Sequence, residues 1–238
     1  MKLCLIPLKT KLRNPQVNLE RLRNRLEEAS HFRPDLICLP ECTLTGYLYE
    51  QEDIRHFAEP ARGPTMQKMA ELARSFHVSL CYGFLESAAE GIYNSASLMD
   101  KNGDLLHTHR KVIEKRPFEC GESFKGIDTE FGRLGIMICG DLFGEDAKKY
   151  FEDIHLVLAP MSRCFDGLSP DPERWQHEER KVYLSAAQAL GIPTAIVNTF
   201  GDNAEDTSFG GALMIDRKGR LLAESSHGSD ELLIWEMV

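Results

Sequence analysis

The stretch FGRLGIMICGDLFGED, residues 131–146, decides how the chain is read. Gly132 and Gly135 mark a turn. Ile136, Met137 and Ile138 form the short, continuous apolar run expected of a strand covered on both faces. Cys139 stands at the carboxyl edge of that strand. Gly140 and Asp141 break it, and Gly144-Glu145-Asp146 offers a helix start. Open α/β sheets gather their chemistry outside the carboxyl ends of their strands. A thiol here is therefore either a nucleophile or one of the small hydrophobes that free cysteines commonly are.

Working outward, apolar strands and amphipathic helices interleave. Lys2–Leu8 reads as a strand. Asn18–Ser30 reads as a helix with Leu19, Leu22, Leu26 and Ala29 on one face. Asp35–Leu39 is a second buried strand, ended by Pro40, which lacks the N–H a ladder needs. A loop runs through Tyr49, and Pro64–Phe76 is a second helix with proline in its first turn. Val78–Glu86 and Ile92–Met99 are strands. Asp100-Lys101-Asn102-Gly103 is a hairpin turn leading into Asp104–Lys111. Beyond the thiol, Lys148–Phe151 reads as helical, and His155–Ala159 as a strand ended by Pro160. A loop spans 163–174, followed by a helix Trp175–Leu190 closed by Gly191. Thr194–Val197 is a strand and 198–208 a polar loop. Ala212–Ile215 and Leu221–Glu224 form a hairpin, and Leu232–Val238 is a last strand. The interleaving, with hairpins at the middle and end, predicts a layered α/β sandwich in one domain, 1–238.

Composition narrows the function. The 238 residues carry 28 basic and 37 acidic side chains, a net charge of −9. That balance disfavours nucleic acid and anionic membranes as partners, since both require a basic footprint. No apolar run approaches the roughly 20 residues of a membrane span. The opening MKLCLIPL reads as a first strand rather than an export signal, so a cytoplasmic protein is expected. The cysteines number seven, which argues against a disulfide framework. Their spacing does not suit a metal site.

Three residues end or follow strands in equivalent positions: Glu41 after DLICLP, Lys111 after LLHTHR, and Cys139 after GIMI. Each alone has an ordinary structural reading as a cap, a solvated charge or a core residue. Together they make chemical sense. A carboxylate takes the thiol proton, and an ammonium depresses the thiol pKa and stabilises an oxyanion. The same carboxylate then activates water.

With LPECTLTGY, HRK and GRLGIMICGD in these positions, the chain resembles the nitrilase superfamily, the carbon–nitrogen hydrolases. The likeness runs from residue 1 to 238 through GIYNSASLMDKNGDLLHTHRK, IVNTFG and SFGGALMIDRKGRLLAES. It implies a four-layer αββα sandwich. It also implies Glu41 as general base, Lys111 as oxyanion stabiliser, Cys139 as nucleophile and the Gly140 backbone N–H as second oxyanion donor. It implies hydrolysis of a linear amide or carbamoyl compound through a thioester, with no metal or organic cofactor and with a homodimer built on the helical face next to Cys139. Nitrile hydrolysis, acyl transfer to an amine and a catalytically silent binding protein are the alternatives.

The chain departs from the family pattern at several points. An accessory carboxylate is expected in EKRPFECGE, with Glu114 the match and Glu119 its competitor. Gly140 replaces a common aromatic residue, which would enlarge or reshape the pocket floor. Glu145 and Asp146 both suit the acidic position after the short LFGED exit. Tyr47 and Arg163 are possible substrate contacts. Tyr49 is a further candidate for the pocket wall and Asp166 for substrate reading. For Arg163 an ion pair is the structural alternative. Asn198 and Gly201 read as turn formers, and His107, His109 and Trp175 as structural residues.

Overall fold

A computed structural model describes residues 1–144, 149, 151, 153–164, 171–201 and 206–237. Its strands and helices follow in the order β1 (Lys2–Leu5), β2 (Lys9–Thr10), α1 (Pro15–Ser30), β3 (Leu36–Cys38), α2 (Gln51–Phe57), α3 (Pro64–Phe76), β4 (Ser79–Ser87), β5 (Ile92–Met99), β6 (Leu105–Arg110), β7 (Ile127–Thr129) and β8 (Gly132–Ile136). A 3-10 turn, Cys139–Phe143, leads to β9 (Leu156–Met161). Then come α4 (Pro172–Arg174), a π turn Trp175–Glu179, α5 (Arg180–Leu190), β10 (Thr194–Asn198), β11 (Phe200–Gly201), β12 (Ala212–Ile215), β13 (Leu221–Glu224) and β14 (Leu233–Glu236).

The strands form two six-stranded sheets, ordered β14-β1-β3-β4-β5-β6 and β13-β12-β10-β9-β8-β7. In the first, β1, β3 and β4 run parallel. In the second, β8, β9 and β10 do. Leu3, Leu5, Leu36 and Leu98 of one sheet meet Leu134, Ile136, Leu158 and Val197 of the other in a shared core. Helices α1 and α3 cover the outer face of the first sheet through Leu22, Leu26, Met69 and Leu72. Helix α5 covers the second through Tyr183, Ala187 and Leu190. The result is the expected αββα sandwich. Burying both faces explains why the parallel strands read as unbroken apolar runs.

Several boundaries differ from the sequence reading, each for a local reason. Helix α1 begins at Pro15 rather than Asn18, because the Asn14 side chain caps Val17 N–H at 3.2 Å and proline suits the first turn. Asn18 is fully buried and bonds Lys11 O and Leu44 O at 2.8 and 2.7 Å, pinning the loop that follows Glu41. Helix α2 and the short strands β2, β7 and β11 carry too few periodic residues to register as elements. Strand β8 starts at Gly132, where φ is +99°, so the glycine opens the strand instead of preceding it. Pro160 lies within β9 instead of ending it. Its missing N–H points toward β8, whose pairing with β9 stops at Ile136–Leu158, so no ladder bond is lost. The 163–174 loop gives way early to helix at Pro172, because Asp171 caps Glu173 and Arg174. The expectations for Glu145, Asp146 and Asp166 lie outside the described residues, as do Lys148 and Tyr150 of the expected helix Lys148–Phe151.

Candidate active site

The carboxyl ends of the parallel strands in both sheets converge on one pole. Glu41 follows β3. Lys111 follows β6, which runs in the same direction as β4 because two antiparallel steps separate them. Cys139 follows β8, and Ser162 follows β9.

The Glu41 turn is tightly held. Cys42 adopts φ +49°, an unusual value for a residue with a Cβ. Thr43 Oγ1 donates to Pro40 O at 2.7 Å and receives Gly83 N–H at 3.1 Å. A Cβ on Gly83 would lie 2.5 Å from Cys42 N and 2.8 Å from Glu41 Cα, so only glycine allows β4 to run this close.

Strand alternation aims Lys111 inward. Arg110 faces the other way, forming a bidentate pair with Glu86 at 2.6 and 3.0 Å. Lys111 Nζ lies 3.0 Å from Glu41 Oε1 and 2.7 Å from Glu114 Oε2. Asn94 Nδ2 donates to the same two oxygens, at 2.6 and 3.0 Å. These four side chains form one network. Glu119 is turned away, paired with the exposed Arg116 at 3.0 Å. Geometry therefore separates the two carboxylates in favour of Glu114.

Glu41 Oε2 is buried and has no hydrogen-bond partner. Burial raises the Glu41 pKa, against the opposing pull of Lys111 and Asn94. Burial also opposes the charge on Lys111, but Glu41, Cys139 and Glu114 outweigh it and the ammonium pKa rises. Lys111 is thus a fixed cation.

Cys139 opens the 3-10 turn with φ +44°, a left-handed conformation that lifts the side chain out of the strand's path. The Ser162 backbone favours the ionised form of its thiol. Burial first, then the Glu41 charge, push the thiol pKa up to about 12, against Lys111, Ser162 and Arg163. Lys111 does depress the thiol pKa, as expected, but it is outweighed. Burial and the carboxylate win, and the resting group is a neutral thiol facing a raised-pKa base.

Gly140 lies close against the main chain that follows Lys111. A Cβ there would meet Ile113 O at 3.1 Å and Lys111 Cε at 3.6 Å, so the main chain after Lys111 already fills that space. As the second residue of the 3-10 turn, Gly140 has no acceptor for its N–H within the turn. Tyr47 packs with its ring centroid 5.7 Å from Lys111 Nζ and forms an edge contact with Tyr49. Arg163 gives Nε to the buried Glu179 at 3.1 Å, the ion pair weighed as its structural alternative.

Two contributors escaped the sequence reading. Asn94 is a buried amide inside an apolar strand, a signal visible in GIYNSAS. Asp141 accepts His109 Nε2 and the backbone N–H groups of Val112, Ile113 and Ile138, all at 2.8–3.0 Å. It ties the nucleophile turn to the segment carrying Glu114.

Comparison with known proteins places the chain in a family. The carbon–nitrogen hydrolase family model matches residues 3–238. The chain belongs to the carbon–nitrogen hydrolase family. A probable nitrilase of Schizosaccharomyces pombe is 30% identical over 86% of this chain and 76% of its own length. A hydrolase encoded in the pqqF 5' region of Pseudomonas protegens is also 30% identical, over 73% of this chain. The match spans 64% of that relative's length. The crystal structure of a carbon–nitrogen hydrolase from Helicobacter pylori G27 superposes with a TM-score of 0.84 at 22% identity, covering 98% of this chain and 87% of that one. The chain is thus a carbon–nitrogen hydrolase with the family's fold.

Proposed function

We propose that this carbon–nitrogen hydrolase cleaves small linear amides or carbamoyl compounds with Cys139 as nucleophile, Glu41 as general base and Lys111 as oxyanion stabiliser. The observation that carries this reading is the unpartnered Oε2 of buried Glu41. A buried acceptor without a donor is costly, and here it stands ready to receive a proton.

In the first half-reaction Glu41 takes the Cys139 proton and the sulfur attacks the carbonyl carbon. Charge on the carbonyl oxygen is met by the Lys111 ammonium and the Gly140 N–H. The C–N bond breaks as Glu41 returns the proton to the departing nitrogen, leaving a thioester and ammonia or an amine. In the second, Glu41 deprotonates water, hydroxide attacks the thioester, and acid and thiol are released. Glu114 and Asn94 hold Lys111 and Glu41 in position through the ion pair and the amide hydrogen bonds they make to that network. Every step uses side chains or backbone of the chain, so the reading requires no cofactor.

Residues 1–238 act as a single catalytic unit in this proposal, since both sheets contribute to the site. The seven cysteines are all free, which supports a cytoplasmic setting. Among the described residues no helix is long and apolar enough to cross a membrane. A groove lined by Leu142, Phe143, Val182, Ala186 and Leu190 beside the nucleophile turn suits a homodimer contact.

The test is ammonia or amine release from a panel of amides and nitriles, with mass spectrometry of Cys139 after quenching. Wild type should release product and carry an acyl adduct on Cys139, and Cys139→Ala should do neither while keeping its fold. Full activity in Cys139→Ala would overturn the assignment. Product formed only with an added amine would make the chain an acyltransferase.

A further inference from the structure

A cavity of about 200 Å³ is lined by Tyr47, Ser162 and Asp206. It is smaller than the ~300–1,000 Å³ usual for drug-sized ligands, so its occupant is short. Its inner end is set by Tyr47, which packs over Lys111, and by Ser162, which follows β9, the strand paired with the one that leads to Cys139. Its outer end is set by Tyr49, Cys164 and Asp206. A substrate with its carbonyl at Cys139 can place its tail in this cavity, toward Asp206.

Asp206 is held rigidly. Its Oδ1 accepts Ser208 N–H at 3.0 Å and its Oδ2 accepts Thr10 Oγ1 at 3.3 Å. Each oxygen keeps acceptor capacity after these bonds. No basic side chain pairs with Asp206 among the described residues. The positive charges nearer the nucleophile are already answered: Arg163 by Glu179, and Lys111 by both Glu41 and Glu114. The cavity therefore lies between a net-negative cluster and a carboxylate with no basic partner among the described residues, alongside two tyrosine rings in edge contact with each other. Such a passage repels an anionic tail. It receives a cation by charge-assisted hydrogen bonding and by attraction to aromatic faces.

We propose that Asp206 is a specificity-determining residue that selects amides bearing a cationic, ammonium-type group at the end of a short chain. This rests on the amidase reading of the same site and names its substrate class.

Two measurements test it. The first compares kcat/KM on length-matched 5-aminopentanamide, 5-hydroxypentanamide and 4-carbamoylbutanoate. Wild type should favour the ammonium substrate over the hydroxyl one by about 10-fold or more, with the carboxylate poorest, the discrimination expected when a charged site is left unpaired. Asp206→Asn keeps an acceptor for Ser208 N–H and turns an N–H toward Thr10 Oγ1, which can accept it, and should collapse that ratio toward one, and Asp206→Glu should restore part of it. A wild-type preference for the carboxylate, or a ratio unchanged in Asp206→Asn, overturns the proposal. The second measurement requires no turnover. n-Butylammonium should slow iodoacetamide alkylation of Cys139 in wild type but not in Asp206→Asn, and butyrate should not slow it in either. Absence of protection by the ammonium overturns the subsite. Protection without hydrolysis of any amide leaves the subsite standing and fells the amidase reading instead.

Discussion

The Nε2 atom of His109 lies 2.9 Å from Oδ2 of Asp141, and both side chains are buried. This contact joins the two sheets directly behind the proposed catalytic groups, because His109 shares a strand face with Lys111 and Asp141 follows Cys139 by two residues. Removing the carboxylate in Asp141→Ala orphans the imidazole and three backbone N–H groups at once. A loss of about 3–5 kcal/mol is expected, as for breaking a buried pair by deleting one partner. Urea denaturation measures it. A loss below about 1 kcal/mol would mean that water replaces the carboxylate without penalty.

The resting thiol makes a kinetic prediction of definite sign. Because the Glu41 charge is the largest cause after burial of the raised Cys139 pKa, Glu41→Gln should lower that pKa from about 12. Iodoacetamide labelling of Cys139 at pH 9 should therefore speed up in Glu41→Gln while amide turnover is lost. Slower labelling would mean that Glu41 activates the thiol at rest, contrary to the electrostatics.

The same groups set the alkaline limit of stability. The Cys4 and Cys139 thiols rise from an ordinary 9.0 to about 12 in the folded chain. Unfolding frees them to ionise at their ordinary value. Above pH 9 the unfolded state binds fewer protons than the folded one, so stability falls with rising pH. The contribution is complete below about pH 9 and is lost as pH passes through about 12. Denaturation midpoints between pH 8 and 11 should decline, and Cys4→Ala should flatten part of the slope.

Gly83→Ala tests the backing of the Glu41 turn. The added methyl would press on backbone atoms of Pro40, Glu41 and Cys42, none of which can rotate aside. We expect a destabilisation of about 1–3 kcal/mol, typical of overpacking, together with a fall in kcat. Displacement of a catalytic group by 1 Å can cost about 100-fold. An unchanged kcat would show that the turn holds its place without β4.

Tyr183 makes the opposite kind of prediction. Its hydroxyl is buried without a partner, and Trp175 and Phe143 surround the ring. Tyr183→Phe removes an unsatisfied group while preserving shape, so the melting temperature should hold or rise. A clear drop would reveal a hydrogen bond formed by that hydroxyl in solution.

The sequence carried the layered fold because burial on both faces writes itself as apolar runs, as in LIC and LVLAP. It carried Glu41, Lys111 and Cys139 because each stands where a strand has just ended. What it did not carry depends on contacts between distant segments. Glu114 and Glu119 are equivalent in the sequence, and only the path of the chain after Lys111 turns one inward. Pro160 reads as a strand terminator until the neighbouring strand is seen to have stopped at Ile136. The raised pKa of Cys139 depends on how completely Glu41 and the thiol are enclosed together, which no local pattern records. Asp141 looks like a turn residue, yet its four hydrogen bonds reach segments some 30 residues upstream as well as its own strand.

Glu41 and Lys111 hang from one sheet and Cys139 from the other, so the layer between the sheets works as a calliper. Ala96 of β5 and Ala195 and Ala212 of β10 and β12 lie in that layer and set its thickness. A larger side chain at any of them pries the jaws apart and carries the sulfur away from its base, without touching either. For this enzyme, core residues far from any substrate are the adjusting screws of the catalytic gap.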